Sequence, residues 1–83
     1  MNNTTDLPNR LRELRGARSR RKMAKELAAA GLRDCTGPRI YDWESGRTRV
    51  PADALRFYAV ACGLSADEQL ALAGMPAAGA EAA

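Results

Sequence analysis

Apolar residues recur along this chain with helical spacing, and each run is bounded by residues that start or stop a helix. Leu7, Leu11 and Leu14 fall at i, i+4 and i+7, with Arg10, Arg12 and Glu13 outside the stripe. Asp6 is a capping residue before them, Pro8 is tolerated in a first turn, and Gly16 ends the run. Met23, Ala24, Leu27 and Ala28 make a second apolar face. Ser19 opens it and Gly31 closes it, which predicts a helix over Arg20–Ala30.

Thr36 caps a third, short segment over Gly37–Ser45, with Pro38 in its first turn and Gly46 at its exit. Ile40 and Trp43 are its i, i+3 apolar pair. Pro51 opens a fourth helix bearing Leu55, Tyr58, Ala59 and Cys62, and Gly63 closes it. Ser65 with Glu68 three residues later is a capping box for a fifth helix, which carries Leu70 and Leu72. Beyond Thr5 the β-branched residues are Thr36, Ile40, Thr48, Val50 and Val60, too scattered to build a sheet. The pattern predicts an all-α bundle.

A chain of 83 residues leaves room for one core. The expected domain is 6–75. Residues 1–5 are polar, and residues 76–83 are Pro, Ala, Gly and Glu only, so both ends are expected to be disordered.

Charge changes the picture, because it is uneven. Between Asn9 and Arg49 stand twelve Lys/Arg against five acids, a net +7, whereas the rest of the chain is mildly acidic. One basic face directed at a polyanion is the functional reading, and a solvated basic surface is the bland one. Other chemistry finds little support. With no histidine, and Cys35 and Cys62 outside any CxxC pair, no metal site is expected. Neither a phosphate loop nor a nucleophile–base pair stands out, so neither enzymatic activity nor a cofactor is expected. The N-terminus lacks an apolar leader and no run is long enough to span a membrane, which makes a cytoplasmic location with reduced cysteines the expectation.

The third helix, in its basic setting, is the candidate reading element of a helix-turn-helix. On a wheel centred on Ile40, Trp43 and Glu44 share the core side. Pro38, Asp42 and Ser45 point away, and Arg39 and Tyr41 lie on the flanks. Arg39 can donate two bonds to guanine, Asp42 can accept from cytosine, and Tyr41 can touch a thymine methyl or a phosphate. The bland reading of Arg39 and Asp42 is an i, i+3 surface ion pair. Arg18, Arg20, Arg21, Lys22 and Lys25 cluster at the start of helix 2, where free N–H groups and the helix dipole also attract phosphate. Arg47 and Arg49 are phosphate candidates beyond helix 3.

The string Ile40-Tyr41-Asp42-Trp43-Glu44-Ser45-Gly46-Arg47 resembles the I-S-x-W-E-x-G-R signature of Cro/repressor-type (xenobiotic-response-element, XRE) helix-turn-helix domains. Leu11–Arg15 resembles their first helix, Met23–Leu27 their second, and Pro51 to Ser65 their fourth helix and the entry to the fifth. The resemblance implies a five-helix, lambda-repressor-like fold. It places Thr36, Gly37, Pro38 and Asp42 near bases or adjacent phosphates and Arg20 on a phosphate. It pairs Arg15 with Glu44 and puts Trp43 in the core. The chain departs from the family at Ala28–Asp34, which lengthens the usual tight turn before helix 3, and in a shorter turn between helices 1 and 2.

These readings converge on a sequence-specific, double-stranded DNA-binding transcriptional regulator that represses by occupying an operator. A homodimer on a palindromic site is expected, with Leu70, Leu72 and Met75 as dimer candidates and no small-molecule ligand. The alternative is a protein-binding adaptor, or an antitoxin-type module, reusing the same fold.

Overall fold

Five helices follow one another in the computed structural model, which describes residues 6–75. They are α1 (Leu7–Arg15), α2 (Arg20–Ala30), α3 (Gly37–Ser45), α4 (Ala52–Cys62) and α5 (Ala66–Ala73), and no strand occurs among the described residues. The expectations for residues 1–5 and 76–83 lie outside that range.

Side-chain capping sets four of the five helix starts. Asp6 accepts from the Asn9 N–H at 3.0 Å, Ser19 from Lys22 at 3.0 Å, and Thr36 from Arg39 at 3.3 Å. Ser65 and Glu68 form the reciprocal box, at 3.1 and 2.8 Å. Each such cap satisfies an N–H that the helix cannot, a contribution of about 1 kcal/mol. Pro51 precedes α4 with no side-chain bond of its own.

Most of the predicted apolar stripe of α1 to α4 enters the core, whereas Ala28 is exposed and Leu14 and Cys62 are only half-buried. Leu7 and Leu11, then Met23, Ala24 and Leu27, then Ile40 and Trp43 are buried with Ala54, Leu55, Tyr58 and Leu72. Trp43 packs on Tyr58 with ring centroids 6.3 Å apart and planes tilted by 58°. α3 rests on α1 and α2, while α4 packs between α2 and α5.

The six residues between α2 and α3 are docked on the body. Leu32 and Cys35 pack against the core, and the Leu32 N–H returns to the Leu27 carbonyl at 3.0 Å. Two positive-φ residues, Gly31 (+123°) and Asp34 (+56°), bend the path. Gly31 lies against the Phe57 ring of α4, so close that a Cβ there would meet the ring at 2.9 Å. This contact seats the lengthened connection and therefore the start of α3.

One expectation is corrected in α5. Leu72 is a dimer candidate from the sequence, but it is 1% exposed and belongs to the core. Met75 is partly buried against that core, and Leu70, 71% exposed, points outward. An eight-residue helix with apolar residues two apart turns one in and the other out, by the 100° step between neighbours.

Candidate nucleic-acid interface

The starts of α2 and α3 lie side by side. Gly37 approaches the backbone of Arg20 and Arg21 so nearly that a Cβ on it would stand 3.7 Å from the Arg21 nitrogen. Two helix N-termini, each a positive pole with unpaired N–H groups, thus share one end of the molecule. Ser19, Arg21, Lys22 and Lys25 line a shallow depression there.

Thr36, Pro38, Arg39 and Tyr41 are exposed on α3, whereas Gly37 and Asp42 are partly covered. Ile40, Trp43 and Glu44 are buried on the opposite side, which gives the helix its orientation. The Arg39–Asp42 surface pair does not form. Asp42 faces Arg47 instead, at 3.9 Å, because the exit turn folds back: its carbonyl accepts from the Arg47 N–H at 2.9 Å. Arg39 is left without an ion-pair partner among the described residues, in a cleft that it shares with Thr36, Asp42, Thr48 and Arg49. Its charge works against the effect of burial on the neighbouring Cys35 thiol, whose pKa burial raises overall.

Glu44 is the electrostatic anchor beneath this surface. At 1% exposure it accepts from Arg15 Nε at 2.7 Å and Nη2 at 3.1 Å, and from Arg20 Nε at 3.1 Å. The bond to Glu44 is the largest cause raising the Arg15 pKa, and it outweighs burial. Arg20 also lies over the Tyr41 ring, 5.0 Å from its centroid. A phosphate candidate by sequence, Arg20 is thus a bridge between α2 and α3 whose Nη groups carry no bond among the described residues.

Arg18, a phosphate candidate by sequence, is engaged inside the fold instead. It donates to the Leu14 carbonyl and to the Arg15 carbonyl at 3.0 Å, pairs with Glu26, and reaches Cys62 Sγ at 3.7 Å. Burial opposes its charge, but the bonds to Glu26 and Cys62 outweigh that and raise its pKa. The short turn after α1 drops this side chain onto the last carbonyls of that helix, where a cation satisfies orphan acceptors. Sequence counted it with its basic neighbours because charge clustering says nothing about direction.

Arg12 escaped the sequence reading. It is exposed on α1 and lines a small cleft with Arg20, Tyr41 and Ser45. Its i, i+3 relation to Arg15, the residue that reaches α3, is the signal that could have placed it there.

No curated protein and no solved structure matches the chain. A family model described as a helix-turn-helix domain matches residues 6–72, nearly all of the described fold, and the chain therefore belongs to that helix-turn-helix family, within its XRE/Cro-like group.

Proposed function

We propose that the protein is a sequence-specific double-stranded DNA-binding regulator that inserts α3 in the major groove and represses by occupying an operator. The observation that carries this reading is the group of exposed cations around α3. Arg21, Lys25, Arg39 and Arg49 have no carboxylate partner among the described residues, although Asp and Glu are plentiful elsewhere. Like charges held together without counter-charges repel, and a polyanion relieves that repulsion.

In this reading Arg39 and Asp42 address base edges, with Tyr41 on the flank. Thr36, Gly37 and Pro38 bring the helix start close to the duplex. Arg20, Arg21 and Lys22 hold backbone phosphates on one side and Arg47 and Arg49 on the other. A second copy, docked through Leu70 and Met75 together with the exposed Val60 of α4, would present two half-sites about one helical turn apart. The setting is the cytoplasm, and no small-molecule ligand is required.

Selection from random duplexes tests the whole proposal. It should return an enriched, two-fold symmetric sequence, and affinity should fall about a thousandfold between 50 and 200 mM salt if some six phosphates are neutralised. Arg39→Ala should relax preference at one base pair by about 1–3 kcal/mol. A uniform loss on every sequence would move Arg39 to the backbone class, and failure to bind any duplex at low salt would favour the adaptor reading.

A further inference from the structure

We infer that Arg12, on the outer face of α1, forms with Arg20, Tyr41 and Ser45 a seat for one DNA backbone phosphate, so that α1 takes part in binding. The inference rests on the DNA-binding reading above and adds to it a helix that this reading leaves out.

Arg15 and Arg20 both donate to Glu44 and Arg12 lines the same cleft, three cations to one carboxylate. Arg15 already engages both oxygens of Glu44, which is itself out of contact with solvent. The charge of Arg20 is therefore only partly offset, and that of Arg12 is not offset at all. Arg12 gives one N–H to the neutral side-chain carbonyl of Asn9 and has no carboxylate partner among the described residues.

The four side chains converge from three helices on a cleft of about 180 Å³, with Glu44 at its base. At ~30 Å³ per water in the liquid, that is room for a phosphate group with part of its hydration shell. The Tyr41 ring holds the Arg20 guanidinium by its face, 5.0 Å away, which fixes its direction while leaving its terminal N–H groups available. The Tyr41 hydroxyl is a neutral donor beside the two cations, whereas Ser45 lines the cleft with its hydroxyl donated to the Asp42 carbonyl at 3.2 Å. Two forked cations and one hydroxyl suit the oxygens of a phosphodiester.

Tyr41 and Ser45 lie on the flank of α3 opposite the cleft that holds Arg39 and Arg49. A helix set in the major groove has a sugar–phosphate strand on each side. Arg47 and Arg49 serve one strand, and the Arg12–Arg20 cleft serves the other.

The test measures binding of labelled random-sequence duplex by fluorescence anisotropy as salt is varied, for the wild type, Arg12→Gln and Arg12→Lys. Arg12 is exposed and should be replaceable without unfolding, which thermal melts of each variant check. Loss of one phosphate contact should make the slope of log K on log salt shallower by about 0.9, and should weaken binding about eightfold at 0.1 M salt. Arg12→Lys should recover most of the slope, because the charge is retained. An unchanged slope in folded Arg12→Gln, with the wild type binding normally, overturns the α1 seat and leaves the DNA reading standing. No salt-dependent binding by the wild type would overturn both.

Discussion

Arg15 of α1 and Glu44 of α3 meet in a two-bond pair, 2.7 and 3.1 Å long, with the Glu44 side chain 1% exposed and that of Arg15 16% exposed. The pair ties the first helix to the back of the reading helix. Removing the carboxylate leaves a mostly buried guanidinium without its partner, the costly half of breaking such a bridge. Glu44→Ala should therefore cost about 3–5 kcal/mol in chemical denaturation. Arg20→Ala removes a partner that is 39% exposed and should cost at most about 1 kcal/mol. Equal losses in the two variants would show that the pair is no more than a surface contact.

Arg18 provides a second separation, between stability and binding. Its guanidinium closes the end of α1 and reaches Glu26 on α2 and Cys62 on α4. Arg18→Ala should destabilise by about 1–3 kcal/mol, the cost of unsatisfied partly buried acceptors. The salt slope of DNA binding by the folded protein should stay as in the wild type, whereas Arg21→Ala should lower the slope and leave the melting temperature unmoved. A slope change in Arg18→Ala would return this residue to the phosphate contacts.

Gly31 tests how firmly the lengthened connection is seated. Its φ of +123° disfavours any side chain, and a Cβ would press on Phe57 at 2.9 Å. Gly31→Ala should cost about 1–3 kcal/mol by backbone strain alone. Because the connection sets the start of α3, specific binding should suffer more than binding to random duplex. A variant as stable as the wild type would mean that Gly31 can move off the ring.

Tyr58 predicts an alkaline limit. Its hydroxyl is buried and has no hydrogen-bond partner among the described residues. Burial above all, then the neighbouring Glu44, raises the phenol's pKa well above its ordinary value of about 10. A pKa raised by folding means that the folded state holds the proton more tightly. Its contribution is complete below about pH 10 and is lost as pH rises through the folded value. The wild type should lose stability in that window. Tyr58→Phe should lose less there and should be about 1 kcal/mol more stable at neutral pH, since an unsatisfied buried hydroxyl is removed. Destabilisation at neutral pH would show that the hydroxyl has a partner.

Sequence by itself determined the elements of this protein. Spacing, caps and stopping glycines are local properties, so α2 and α3 begin and end where Ser19, Gly31, Thr36 and Gly46 put them. The inward side of α3 was also legible, because Ile40 and Trp43 leave one face for the core. The directions of long charged side chains were not. Arg18 and Arg21 look alike in a basic run, yet one is folded under the end of α1 and the other stands at the open end of α2. Asp42 took Arg47 in place of Arg39 because the exit turn curls back, a matter of backbone path. Leu72 went to the core and Leu70 stayed in solvent according to which side of α5 met α4. Flexible cations choose among partners only once helices from distant parts of the chain are packed together, and that choice belongs to the tertiary structure.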